Sequence, residues 1–376
     1  MNDTPSGNRI RIAFFGLRNA GKSTLVNAFC GQEIAIVSDV PGTTTDPVSK
    51  AMEILPLGPC LVTDTAGLDD EGQLGAERVR RTLEVLANTD MAIWVDGPCE
   101  ATGDASRRAE FMAECARRSV PVIEYRRGDS VDALRSRVAS VKVAPEPGLL
   151  DGLVSPGDRV ICVCPIDESA PKGRLILPQV QTIRDCIDRR ATCVVCQPEE
   201  LADCLAAERV RGRGVLVVTD SQAFGEVRRI VDAERAKMPS IRLTSFSILF
   251  ARQKGDLAAY VSGMAAVATL RDGDIVLVAE GCTHHRQCND IGTVKIPKAL
   301  GRLSGKKLSF EFSSGGSFPL SGVKKPSLIV HCGGCMLTRR EVRRRISLAA
   351  DAGVPILNYG LLLAMANGLR PEEVMP

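Results

Sequence analysis

Residues 10–23 read IRIAFFGLRNAGKS. Ile10–Phe15 is an unbroken apolar run of strand length. Gly16-Leu17-Arg18-Asn19-Ala20-Gly21-Lys22-Ser23 then satisfies GxxxxGK(S/T) in full, and Lys22–Phe29 continues with helical character. A strand, a glycine-rich turn and a helix in that order form the context that makes this short pattern a phosphate-binding loop. The glycines let backbone N–H groups close around phosphate oxygens. Lys22 brings a point charge to the β and γ phosphates, and the Ser23 hydroxyl can ligate Mg²⁺. Gly16, Asn19, Ala20, Gly21, Lys22, Ser23 and Thr24 are therefore the expected nucleotide contacts.

A second element fits the first. Asp64-Thr65-Ala66-Gly67 follows the apolar stretch at Cys60–Val62. At that distance behind a phosphate loop, Asp64 can hold Mg²⁺ through water and the Gly67 N–H can meet the γ-phosphate. Between the two lies Pro41-Gly42-Thr43-Thr44-Thr45-Asp46. It resembles the first switch of a subset of translation-factor-like GTPases, where such a loop orders around Mg²⁺. By that resemblance Thr44 is the Mg²⁺-proximal threonine, and Asn19 matches the asparagine that supports K⁺ in the cation-activated GTPases. Lys22, Thr44, Asp64 and Gly67 are the expected catalytic set. One departure stands out. Where such GTPases carry (N/T)KxD for guanine, this chain reads Val122-Ile123-Glu124-Tyr125-Arg126-Arg127-Gly128-Asp129. Only Asp129 is left to reach a base, and GTP rests on the switch-loop resemblance.

Working outward, residues 9 to about 145 alternate strand and helix, the pattern of a mostly parallel sheet covered on both faces. The Pro- and Gly-rich stretch at 144–156 marks a linker. Residues 157–255 alternate again, without a catalytic constellation. From 256 a third α/β segment begins. The expected layout is thus α/β throughout: a P-loop domain over 1–148, a middle domain over 157–255 and a C-terminal domain over 256–376.

The C-terminal third holds the other informative pattern. All three histidines of the chain fall in Cys282-Thr283-His284-His285 and His331-Cys332-Gly333-Gly334-Cys335. Each half follows an apolar strand, Ile275–Ala279 or Ser327–Val330, so both sit where open α/β sheets place their sites. Cys282, Cys332 and Cys335 are soft ligands, and a helix after Cys335 would stabilise thiolates at its N-terminus. Two readings fit. One is a [4Fe–4S] cluster with an exchangeable fourth position filled by His284, His331, Asp290, Glu280 or water. The other is a closed structural zinc site. His285 and Cys288 read as bystanders. Cys162, Cys164, Cys193 and Cys196 sit in apolar strand runs and read as buried small residues.

Composition narrows the classes. A formal net charge of +3 argues against a dedicated nucleic-acid binder, and 4% aromatics argues against base-stacking platforms. The basic runs at 78–81, 107–108, 117–118 and 343–345 read as solvated helix faces. No apolar stretch reaches the about 20 residues of a membrane span. Fourteen cysteines without an export signal point to a reducing cytoplasm and to metal-bound or buried thiols.

Taken together, the chain resembles the HydF family of [FeFe]-hydrogenase maturation GTPases. The resemblance runs nearly the whole length. It rests on the phosphate loop, Asp64–Gly67, PKGRLILPQVQTIRD (171–185), LTSFSILFAR (243–252), CTHH (282–285) and HCGGC (331–335). It implies a GTPase domain, a dimerisation domain and an iron–sulfur domain with a [4Fe–4S] cluster on Cys282, Cys332 and Cys335. It also implies a scaffold that receives a diiron precursor bearing CO and cyanide and passes it to apo-[FeFe]-hydrogenase. Two radical-SAM maturases and a second copy of the chain would be the further partners. The rival class is a regulatory or RNA-related GTPase with a structural zinc domain. A third reading keeps the scaffold but not hydrolysis.

Overall fold

In the computed structural model, the residues described are 6–31, 48–68, 72–97, 104–143, 147–166, 172–211, 214–281, 290–315, 318–320 and 325–374. They form two compact units, 1–145 and 146–376.

The first unit runs β1 (Ile10–Phe15), α1 (Lys22–Cys30), β2 (Val48–Ile54), β3 (Gly58–Asp64), α2 (Gly72–Ala87), β4 (Met91–Val95), α3 (Asp104–Arg117), β5 (Val122–Tyr125) and α4 (Val131–Ser140). Its sheet has the order β2-β3-β1-β4-β5. All neighbours are parallel except β2, which returns antiparallel on β3. Successive strand residues face opposite sides, so each central strand feeds two cores. Ile12 and Phe14 pack with Met91, Ile93 and Phe29 on one side. Ala13 and Phe15 pack with Ala92, Trp94 and Phe111 on the other. Double burial is why these strands read as continuous apolar runs.

The second unit continues with β6 (Arg159–Val163), α5 (Leu177–Asp188), β7 (Thr192–Cys196), α6 (Leu201–Arg209), β8 (Val215–Thr219), α7 (Phe224–Arg235), β9 (Ile241–Ser245), α8 (Phe246–Lys254) and α9 (Leu257–Ala266). It ends with β10 (Ile275–Ala279), α10 (Ile296–Ser304), β11 (Ser309–Ser313), β12 (Leu328–His331), α11 (Arg339–Asp351), β13 (Ile356–Asn358) and α12 (Tyr359–Ala366). Two parallel sheets result, β7-β6-β8-β9 and β11-β10-β12-β13. In both, the first two strands in sequence lie in reversed order, so chain direction switches beside the first strand.

These sheets share a core. Ile161, Val163, Val215 and Val217 of the middle sheet fall in one cluster with Tyr260, Met264, Val276, Ile329 and Leu357. Helix α9 lies so close to β13 that a Cβ at Gly263 would run into the Ile356 carbonyl.

The apolar stretch at 241–250 is not one element. Ser245 stops the strand and caps α8, accepting from the Ile248 N–H at 3.2 Å. Its hydroxyl satisfies a donor that a helix start leaves over. The basic run at 343–345 needs correction. Arg345 is fully buried, because it shares a helical face with Glu341, Val342, Ile346 and Ala349; Arg343 faces solvent. No described helix is long and apolar enough to cross a membrane.

Candidate functional site

The parallel pairing of β1 with β3 sets Phe14 opposite Asp64. The phosphate loop and the acid therefore leave adjacent strand ends on one edge. The loop uses left-handed backbone at Asn19 (φ 60°) and Gly21 (φ 87°). Gly16 passes so near the Val95 carbonyl that a side chain there would collide with it. Lys22 is buried and folds back over the loop, donating to the carbonyls of Leu17 at 2.7 Å and Gly16 at 3.3 Å. Its ammonium thus waits inside the nest of amides where a phosphate sits.

Ser23 Oγ donates to Asp64 Oδ2 at 2.6 Å. Asp64 Oδ1 is buried with no hydrogen-bond partner among the described residues. An orphaned carboxylate oxygen beside a hydroxyl is costly unless something else meets it. A hydrated Mg²⁺ meets this oxygen donor set, so the residues present fit that ion. Burial pushes the Asp64 carboxyl up, against the Ser23 hydroxyl bond and the Lys22 charge, which lower it; a cation would favour the ionised form. Gly67 is buried, and the Leu68 N–H donates to Gly16 O at 3.3 Å, so this turn is tied to the phosphate loop. Thr44 lies outside the described residues.

Asp129, the remaining candidate for reading a base, is committed to its own turn. Its Oδ2 accepts from the Arg126 N–H at 3.1 Å and from Arg137 Nη2 at 3.5 Å, and its carbonyl accepts from Tyr125 Oη at 2.9 Å.

The strands that lead into the two halves of the Cys–His pattern are neighbours. Strands β10 and β12 pair in parallel with Ala279 opposite His331, at the place where strand order reverses. In an open α/β sheet that is the crevice for a site. The Cys332 N–H donates to Ala279 O at 2.9 Å, and the Gly281 N–H donates to Cys332 Sγ at 3.1 Å. Gly281 is the last described residue before Cys282. Cys332 and Cys335 are half-buried. The turn between them needs left-handed backbone at Gly334, at φ 65°. Soft sulfurs with an amide donating to one of them suit an iron–sulfur cluster. Cys282, His284, His285 and Cys288 lie outside the described residues. Among the described residues, no group of three or more His, Cys, Asp or Glu is placed to hold a metal ion.

The geometry gives His331 other partners. Both its ring nitrogens are engaged: Nδ1 with Cys332 O at 2.7 Å and Nε2 with Arg345 Nη1 at 3.2 Å. Arginine can only donate, so Nε2 accepts and Nδ1 carries the proton. Burial first, then the Arg345 charge, push the imidazole down to about 4. His331 is a neutral spacer between Arg345 and the Cys332 backbone, with no nitrogen lone pair left for a metal.

Behind it, Arg345 donates through Nε to Glu341 Oε1 at 2.8 Å and through Nη2 to Gly315 O at 2.7 Å, and lies over the Phe318 ring. Burial would push the Glu341 carboxyl up, but Arg344 and Arg345 outweigh it and hold the carboxyl below its ordinary value. Removing one partner of a buried pair costs about 3–5 kcal/mol, whereas an apolar pair of similar volume is often neutral. Arg345→Met should therefore destabilise the apo chain by that amount in denaturant unfolding, and adding Glu341→Leu should recover most of it. An unchanged unfolding midpoint in the single variant would show the pair to be dispensable.

The cysteines of the middle sheet divide. Cys162 and Cys164 are buried as expected, but Cys193 and Cys196 are half-buried on edge strand β7, with Cys193 Sγ 3.6 Å from Cys162 Sγ. Their placement follows from β7 lying at the sheet edge, which strand periodicity alone does not reveal.

Comparison with known proteins divides the chain three ways. The family model described as 50S ribosome-binding GTPase matches residues 11–124. The hydrogen maturase F dimerization domain matches 149–255, and the hydrogen maturase F tetramerization domain matches 258–375. Curated relatives align only in part. The tRNA modification GTPase MnmE of Phenylobacterium zucineum is 44% identical over 27% of this chain and 24% of its own length. GTPase Der of Sulfurimonas denitrificans is 43% identical over 25% of this chain and 19% of its own. The chain thus spans about a quarter or less of the length of these two relatives. Among solved structures, Aquifex aeolicus Era bound to GDP·AlF₄⁻ is 16% identical and covers 81% of this chain and 92% of its own, at a TM-score of 0.26. That overlap is too loose to argue from. The two maturase matches disfavour the RNA-related GTPase with a zinc domain.

Proposed function

Because the chain belongs to the hydrogen maturase F family, carrying a GTPase domain ahead of the family's two oligomerization domains, we propose that it is a GTP-hydrolysing scaffold. In this reading it binds a [4Fe–4S] cluster and carries a diiron precursor to apo-[FeFe]-hydrogenase. The observation that carries the reading is the contact between the Gly281 N–H and Cys332 Sγ. It sets Gly281, the residue before Cys282 in sequence, against Cys332 at a strand-order switch, in a chain that also holds a phosphate loop. Three sulfurs leave one iron with a replaceable ligand, which is the opening a cargo needs. With His331 engaged elsewhere, His284, Glu280, Asp290 or water would take that position. Glu280 and Asp290 are buried acids near this end of the sheet.

On the nucleotide side, Lys22 and the loop amides bind the phosphates, while Ser23 and Asp64 hold Mg²⁺ with Thr44. Mg²⁺ supplies charge neutralisation at the transferring phosphoryl group. Asn19 is the candidate support for K⁺. Nucleotide state would reset the switch segments and so partner exchange with the hydrogenase and two radical-SAM maturases. We place the dimer contact on the middle domain. Supporting this, Val195 on edge strand β7 is 47% exposed, beside exposed Ile166 and Leu175. The chain would work in the cytoplasm, where its thiols stay reduced.

Anaerobic reconstitution with iron and sulfide tests the core of this reading. The expected product holds about four irons and four sulfides per chain, with an S = 1/2 signal on reduction. A colourless protein holding one tight zinc overturns it.

A further inference from the structure

Lys254 ends α8, the last helix of the middle domain, and is 1% exposed. Its aliphatic stem does not account for its burial. The Nζ atom donates to three carbonyls of the segment that carries Cys335: Gly334 at 3.3 Å, Cys335 at 3.2 Å and Leu337 at 2.9 Å. It also lies over the Phe250 ring at 5.5 Å. An ammonium has three protons to give, and this one segment offers it three carbonyls. The helix bearing it is fixed from the other side, because Phe246, Leu249 and Phe250 pack into the core under the middle sheet.

We propose that Lys254 is a positioning residue for the cluster: a fixed cation, supplied by the middle domain, that shapes the Cys332–Cys335 turn and raises the reduction potential of the group it holds. The proposal rests on the iron–sulfur reading given above. Two physical arguments carry it. In a trans peptide the carbonyl and the following N–H point in opposite directions. Turning the carbonyls of Gly334, Cys335 and Leu337 onto Lys254 therefore turns the N–H groups of Cys335, Met336 and Thr338 away from it, as donors on the other side of the turn. Donors to cluster sulfurs raise the potential. A buried positive charge next to the ligand-bearing backbone also favours the more reduced, more negative cluster, and little water is present to screen it. Burying a charge is expensive unless it is well met, so three carbonyls facing one ammonium hold the turn in a single conformation before any cluster arrives.

The residue also links two domains. Its stem belongs to the helix under the middle sheet, and its head to the segment that leads into α11. A displacement of α8 would reach the cluster turn through this side chain.

The test uses the full-length chain with Lys254→Gln, which keeps a donor but loses the charge, and Lys254→Arg, which keeps the charge. The first readout is the midpoint potential of the reconstituted cluster, followed by EPR. Lys254→Gln should shift it negative by about 59 mV, a tenfold change in the one-electron equilibrium, and Lys254→Arg should stay near wild type. The second readout is amide exchange of residues 333–338 in the apo protein, expected to speed up at least tenfold in Lys254→Gln and to stay slow in Lys254→Arg. Wild-type potential in a Lys254→Gln protein with a full cluster overturns the proposal. So does wild-type exchange in its apo form. If the wild-type chain itself takes up no cluster, the iron–sulfur reading fails separately, and the apo exchange alone still decides whether Lys254 holds the turn.

Discussion

Lys22→Ala should lower GTP turnover by about 10²–10³-fold, the range seen when one preorganised charge stabiliser is taken from a transition state. The argument is local. Lys22 is the buried cation over the phosphate loop, and its Nζ already lies within 2.7 Å of a loop carbonyl. The γ-phosphoryl group spreads charge over its equatorial oxygens during transfer. Alanine removes the two bonds to the Gly16 and Leu17 carbonyls but keeps the loop's glycines and the α1 sequence, so the fold should suffer less than turnover. Phosphate release under Mg²⁺ and K⁺ is the measurement. Should the wild-type protein run no faster than the variant, the chain is a scaffold whose nucleotide site no longer hydrolyses. That outcome would connect with Asp129, whose carboxylate is held by Arg126 and Arg137 and does not stand ready for guanine.

Replacing Cys332 or Cys335 by serine should abolish a stable cluster outright. Serine keeps the volume but offers a hard, protonated oxygen in place of a thiolate, and iron bound to sulfide discriminates strongly between the two. Cys332→Ser also removes the sulfur that receives the Gly281 N–H. Iron and sulfide analysis after anaerobic reconstitution reads the result. A triple variant at 282, 332 and 335 with full iron and sulfide content would refute the ligand set.

Much of this was legible without coordinates, for a definite reason. Strands β1, β4, β6, β8 and β10 are buried on both faces, so they announce themselves as apolar runs, and the phosphate loop fixes its neighbours. What escaped was amphipathic or half-exposed. Strand β11, Ser309–Ser313, alternates polar and aromatic as SFEFS, a period-two signal that was available but short. Strand β2 has only one buried residue, Ile54, and lies on the sheet edge. Helices α4, α9 and α10 open on Ser130, on Asp256 and on a lysine followed by Pro297, start signals that were in plain view but stood outside any recognised motif. Around the Cys–His pattern, sequence misjudged the company its residues keep. Arg345 reads as one more surface arginine until helical phase puts it beside Glu341. Lys254 reads as a helix-end lysine, because nothing in a linear sequence shows three carbonyls arriving from 80 residues away.

Between residues 255 and 258 the sequence passes from one matched domain to the next, yet side chains from both sheets fill a single apolar interior. The exchangeable part is therefore not either domain but the pair. Gene rearrangement could trade the nucleotide-binding front of this protein for another, whereas splitting the rear half at that seam would leave two incomplete cores, each exposing what the other had covered.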